Sequence, residues 1–240
     1  MLTRHFGFAL AFCFSGALLY GSLGLIAEDK PADAKAEQSE EGFVPLFNGK
    51  DMTGWVGNTK GYYADGKGHM VCDPKQEGGN VYTEKEYANF VLRLEFKLSP
   101  GANNGLGIRA PLKGDAAYVG MELQIIDDTS DKYKGIQPWQ RHGSIYGVAA
   151  AKPGHLKPVG EWNTEEVIAD GRHITVKLNG QKIVDVEDLD TWKFESEHTR
   201  EQHPGIKNQK GHIGFLGHGD PLEFRNIRIR ELPGKDADKK

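Results

Sequence analysis

Asn89-Phe-Val-Leu-Arg-Leu-Glu-Phe-Lys-Leu-Ser99 is the stretch that decides the fold. In an extended chain Phe90, Leu92, Leu94, Phe96 and Leu98 fall on one face, and Val91, Arg93, Glu95 and Lys97 on the other. Period two with one charged face describes an antiparallel strand that covers a core on one side and meets water on the other. Shorter runs of the same kind recur on both sides of it: His69 to Asp73, Asn80 to Thr83, Gly105 to Ala110, Gly143 to Ala149, Trp162 to Ala169, His173 to Leu178, Gln181 to Val186, His212 to Leu216 and Leu222 to Leu232. Asn179-Gly180 between two of these runs is a two-residue hairpin turn. No segment holds a 3.6-residue period for a useful length. The sequence has 31 glycines in 240 residues, nearly twice the usual share of about 7%, with no collagen-like spacing, which fits many tight strand connections. The expected fold is all-β, a two-sheet antiparallel sandwich of jelly-roll type.

The stretch Tyr118-Val-Gly-Met-Glu-Leu-Gln-Ile-Ile-Asp-Asp128 carries the first chemical signal. Met121, Leu123 and Ile125 form a core face, whereas Gly120, Glu122 and Gln124 share the opposite one. That places an acid beside an amide on a single strand. A small bulge at the end of the run would bring Asp127 to the same side. The residues alone leave two readings open, an active-site strand or the solvated face of an ordinary one. Thr129 to Arg141 shows no period and is read as a long loop, and loops of this length in a compact domain commonly carry function.

At the N-terminus Arg4 and His5 precede an apolar segment from Phe6 to Ala27, followed by Glu28-Asp-Lys30. This is the layout of a secretory signal, and an uncleaved membrane anchor is the alternative. The expected organisation is a signal or anchor over 1–27, a linker over 28–41 too poor in large apolar residues to order itself, one sandwich domain over 42–232, and a charged tail over 233–240. The protein is therefore expected to be exported, periplasmic or extracellular, and to meet a membrane only through that first segment. Beyond Cys13 the sole cysteine is Cys72, so no disulfide can staple the domain, and Cys72 reads as a small buried hydrophobe. A formal net charge of -4, with no basic stripe interleaved with aromatics, argues against nucleic acid as a partner.

Several motifs, taken in order, resemble one family. They are Phe43-Val-Pro-Leu-Phe-Asn-Gly-Lys-Asp-Met-Thr-Gly-Trp55, Glu122-Leu-Gln-Ile-Ile-Asp127, Gly143-Ser-Ile-Tyr-Gly147, Gly160-Glu-Trp-Asn163 and Gly214-Phe-Leu-Gly-His-Gly-Asp-Pro-Leu-Glu-Phe-Arg-Asn-Ile-Arg-Ile229. Together they resemble the 3-keto-disaccharide hydrolase domain across nearly all of 42–232. The resemblance implies a concanavalin A-like lectin/glucanase sandwich, an oligosaccharide or oxidised glycoside as substrate, and cleavage of 3-keto-glycosides by 1,2-elimination and hydration. Leu216 stands where many members carry Gln, which removes one amide from the implied site.

Such chemistry needs a base at C2 of the sugar, a donor for the enolate oxygen and an acid for the leaving oxygen. Glu122 is the expected base, His218 the acid or a ligand, and Arg109 the enolate donor. Gln124, Asp127, His142, Tyr146 and Trp139 are expected around the substrate. A divalent metal is an option if Glu122, Asp127, His142 and His218 converge, although no short metal-ligand spacing is present. Two other functions stay open. One is a non-catalytic sugar-binding module. The other is a conventional retaining glycosidase, which needs two carboxyl groups about 5 to 5.5 Å apart and finds Gln124 where a second acid would stand.

Overall fold

A computed structural model of the chain describes residues 40–73, 75 and 79–234. The proposed signal or anchor, most of the linker and most of the tail lie outside the described residues. Among those described, no helix is long and apolar enough to cross a membrane.

Thirteen strands are found among the described residues: β1 (Val44–Pro45), β2 (Trp55–Gly57), β3 (Tyr62–Ala64), β4 (Met70–Cys72), β5 (Gly79–Thr83), β6 (Phe90–Leu98), β7 (Asn103–Ala110), β8 (Met121–Ile126), β9 (Trp162–Asp170), β10 (His173–Leu178), β11 (Gln181–Val186), β12 (His212–Gly217) and β13 (Leu222–Glu231). One sheet runs β11-β10-β9-β6-β13-β4-β3, with β1 also on β13; the other runs β2-β5-β12-β7-β8. All named pairs are antiparallel. The expected jelly-roll sandwich is the observed one.

The core lies between the sheets. Phe90, Leu92, Leu94, Phe96 and Leu98 of β6 are all buried there, as their alternation requires. On β13 the inward set is Leu222, Phe224, Ile227 and Ile229, which breaks strict alternation. A register shift between Arg225 and Arg228, with Asn226 at φ 51°, absorbs the extra residue and keeps both halves of the strand facing the core. Trp55, Phe215 and Phe224 stack in series, with Trp55 to Phe215 at 5.7 Å and Phe215 to Phe224 at 4.0 Å, and so join β2, β12 and β13 across the two layers. Cys72 is a free, buried thiol in this core.

Some local expectations are revised. Gly143 to Ala149 is not a strand of a sheet but a turn held by isolated bridges at Ile145, because its glycines at 143 and 147 take positive φ and break the pleat. Tyr118 and Val119 close a short helix α1 (Ala116–Val119) capped by Asp115, so β8 starts only at Met121. Glu40, expected in the linker, is already docked: its carboxylate pairs with Arg228 Nε at 2.7 Å and with Arg93 Nη1 at 3.2 Å.

The aromatic stack sets a stability prediction. Phe215→Ala leaves a cavity between the sheets and is expected to cost about 3–5 kcal/mol, read as a fall in the urea midpoint with an unchanged slope.

Candidate active site

The five-stranded sheet turns one face to the core and the other outward. Ladder register sets two rows across that outer face: Tyr82, Gly214, Gly107 and Glu122 in one, Asn80, Leu216, Gly105 and Gln124 in the next. Strands β5 and β12 contribute bulky or polar side chains, β7 contributes glycines, and β8 contributes the acid and the amide. The glycines of β7 make the space. A Cβ added at Gly105 would lie 2.0 Å from Glu122 Oε1, and one added at Gly107 would lie 3.3 Å from Leu216 Cδ2. Glu122 therefore leans over its neighbour strand, which only a glycine there permits.

The result is a cavity of about 250 Å³ lined by Glu122, Gln124, Asn103, Tyr118, Tyr146 and His218. Asp115, Tyr133, Ile136 and Gln140 close its sides. The loop over Thr129 to Arg141 thus supplies three lining residues, as its length led us to expect. It is anchored by Tyr133 Oη donating to Gly101 O at 3.1 Å and by Gln137 N donating to Gln140 Oε1 at 3.0 Å.

Glu122 is the centre of the cavity. Its side chain is 6% exposed, and Oε1 is buried with no hydrogen-bond donor among the described residues. The nearest cation is His218, whose Nε2 stands 3.6 Å from Oε1, an ion-pair distance rather than a closed hydrogen bond. The Glu122 carboxylate raises the His218 pKa above its ordinary 6.5 against the opposing effect of burial, and Asp115 and Asp220 add to the rise. The imidazole is 48% exposed, so solvent screens much of the interaction. Because the folded-state value is raised, the pair's stabilisation is complete below pH 6.5 and is lost as pH climbs through the folded pKa. Gln124 Nε2 donates to Asn103 Oδ1 at 2.6 Å, which fixes the amide on the floor. Burial raises the phenol pKa of Tyr118 above 10.0, which keeps it a hydrogen-bond donor at neutral pH.

Of the residues expected here, Glu122, Gln124, His218 and Tyr146 meet in the cavity. Arg109 does not. The β7–β12 ladder shifts between His212 and Gly214, and Arg109 sits in that irregularity at φ 48°, so its side chain is swung away from the row of Gly105 and Gly107. It is buried, donating from Nε and Nη2 to Ala88 O at 3.0 and 2.8 Å, and burial, aided by Arg172, lowers its pKa to about 10. Asp127 is also elsewhere. The β7–β8 register is regular to its end, with no bulge, so Ile126 rather than Asp127 joins the site face. Asp127 instead accepts from Gly101 N at 2.8 Å and Thr129 Oγ1 at 2.6 Å, tying two loops together. His142 lies behind β8, buried against Phe96 with ring centroids 5.0 Å apart. Trp139 is buried edge-on to Tyr146 at 5.0 Å and backs the wall without lining it. Glu122, Asp127, His142 and His218 thus do not converge, and among the described residues no group of three or more His, Cys, Asp or Glu is placed to hold a metal.

Asn103, Tyr118, Tyr133 and Gln140 were not singled out by sequence reasoning. For Asn103 the pattern held a usable sign, since it lies one strand step from Gly105 and Gly107 on the same face. A larger recess of about 490 Å³ at Arg172, Asp188 and Asp190 offers less chemistry, because Asp190 pairs with Arg172 at 2.8 Å and Asp188 caps the turn at Asp190 N.

Fold and site together define a sugar-cleaving enzyme on a jelly-roll sandwich. The chain is 25% identical over 235 residues to a 3-keto-disaccharide hydrolase of Bacteroides thetaiotaomicron, covering 80% of this chain and 79% of that one. A crystal structure from Parabacteroides distasonis, provisionally named a glycosyl hydrolase, is 31% identical, with a TM-score of 0.70 over 79% of this chain and 99% of that one. A second from the same organism, under the same provisional name, is 26% identical, with a TM-score of 0.64 over 82% of this chain and 98% of that one. Residues 42–230 match the 3-keto-alpha-glucoside-1,2-lyase-like domain, and the protein belongs to that family.

Gly105→Ala is expected to push the Glu122 carboxylate aside and open the pair. Histidine NMR should then show His218 titrating closer to 6.5 than in the parent.

Proposed function

We propose that the protein is an exported enzyme that cleaves 3-keto-glycosides by 1,2-elimination followed by hydration. The observation that carries this reading is the buried Glu122 Oε1, with no hydrogen-bond donor among the described residues, 3.6 Å from His218 Nε2, while Gln124 takes the next place on the same face of the strand. An acceptor with no partner is the state in which a base awaits a proton.

A ketone at C3 makes the C2 proton acidic. Glu122 takes that proton, and the C2–H electron pair becomes the C1–C2 double bond as the C1–O bond breaks. His218, whose proton the Glu122 carboxylate helps to retain, gives it to the leaving oxygen. Charge that gathers on the C3 oxygen is met by the hydroxyls of Tyr118 and Tyr146 or by Gln124, all on the wall or floor of the cavity. Water then adds across C1–C2: neutral His218 takes one of its protons, its hydroxyl goes to C1 and Glu122 returns its proton to C2, so that both residues are restored and the two steps sum to hydrolysis without net oxidation. Arg109 has no part, since it is occupied by backbone carbonyls. The curated relative named a 3-keto-disaccharide hydrolase supports the substrate class. Export rests on the arrangement of Arg4, the apolar segment Phe6 to Ala27 and the acidic residues that follow.

Two assays test this. Purified protein is expected to release the aglycone from a 3-keto-glucoside and to leave the parent glucoside intact, and Glu122→Gln is expected to lower kcat by about 10³-fold or more with an unchanged melting temperature. Release from an unoxidised aryl glucoside would instead favour ordinary acid-pair hydrolysis, for which Asp115 at the rim is the available second carboxylate. The basic limb of the kcat/KM profile should lie above pH 6.5, since activity falls as His218 loses its raised proton, and His218→Asn should erase that limb.

A further inference from the structure

Strand β8 is the last strand of its sheet, so one of its two edges lacks a partner strand. The segment after the long loop supplies the missing partners. Gly143 N donates to Gln124 O at 2.7 Å, Gln124 N to Ser144 O at 3.0 Å, and Tyr146 N to Glu122 O at 2.9 Å. At Ile126 this backbone pairing runs out, and a side chain takes over: Ile126 N donates to His142 Nδ1 at 3.3 Å. A nitrogen that accepts carries no proton, so the ring bears its proton on Nε2. That nitrogen faces Glu165 Oε2 of β9 at 3.4 Å, in a contact too oblique to be a hydrogen bond.

Glu165 is the anomaly. Its side chain is 0% exposed, it stands in register between Leu94 and Leu178 in the core, and among the described residues neither of its oxygens has a hydrogen-bond donor. A leucine would fill this place with no polar group to satisfy, so core packing gives no reason for an acid here. What the acid does provide is an acceptor that selects which nitrogen of His142 is protonated.

We propose that Glu165 is a positioning residue for the active site. By facing His142 Nε2 it keeps Nδ1 free to accept from Ile126, and so holds the end of β8 where Gln124 and Ile126 form the cavity floor. Without it the ring is free to adopt the other tautomer, whose Nδ1 proton points at the Ile126 N–H, and the edge of β8 loses its last bond. The inference rests on this cavity being the active site, and it makes one claim that does not, namely that the Ile126 amide is protected through Glu165.

Glu165→Leu is the variant to make, with Glu165→Gln as its conservative partner, since the amide oxygen of Gln presents an acceptor to Nε2 at the same place. For Glu165→Leu we expect a melting temperature equal to or above the parent, Ile126 amide exchange faster by about tenfold or more, and kcat/KM on a 3-keto-glucoside lower by about tenfold or more. Glu165→Gln should keep parental exchange and turnover. His142→Leu should match Glu165→Leu, and the double variant should be no worse than either. Parental Ile126 exchange in Glu165→Leu overturns the inference whether or not the parent cleaves the substrate, as does a fall in its melting temperature, which would mark Glu165 as merely structural. A parent inactive on 3-keto-glucosides, with accelerated exchange in Glu165→Leu, would sink the proposed reaction and leave the role of Glu165 standing.

Discussion

The carboxylate of Glu122 occupies the volume that a side chain at position 105 would fill, and the site depends on that vacancy. A carboxylate on the outer face of a sheet is normally hydrated. Here it lies across the neighbouring strand, walled by Tyr118 and Tyr146, and loses its water without leaving the surface layer. Burying a carboxylate costs free energy, which the His218 imidazole beside it at 3.6 Å offsets. The same vacancy lets His218, beyond the end of β12, approach from the other side. Carboxylate and imidazole are thus brought together from two strands that are not neighbours, with a strip of bare backbone between them.

Much of this was legible because sheets translate sequence parity into faces. The alternation of β6 and β8 gave the layers, and Glu122 with Gln124 on one side of β8 gave the floor. Expectation failed where an irregularity was present but unforeseen, or foreseen but absent. Arg109 has the right parity for the site and leaves it through a ladder irregularity, and Asp127 needed an irregularity that β8 does not have. A bulge depends on how two strands of different length fit together, which neither strand encodes alone.

The walls were less readable than the floor for a different reason. Tyr133 and Gln140 sit in short 3-10 turns whose direction is set by long-range anchors such as Gly101 O, more than thirty residues away. His142 was misplaced by similar logic. As a histidine after a loop it invites a place at the surface, but the stretch 143–146 pairs with β8 and draws the preceding residue into the space between the sheets.

That pairing has a second effect, on the behaviour of the molecule in company. β8, Met121-Glu-Leu-Gln-Ile-Ile126, is a six-residue strand at the border of a sheet with every residue buried, and an open border of this kind invites another chain to add a strand. The turn over 143–149 occupies the donors and acceptors without extending the sheet, because its positive-φ glycines stop it from offering a straight edge of its own. At the far border of the same sheet stands β2, only three residues long. One border of the five-stranded sheet is thus covered by the same turn that sets Tyr146 beside Glu122, and the other offers only a three-residue strand for another chain to pair with.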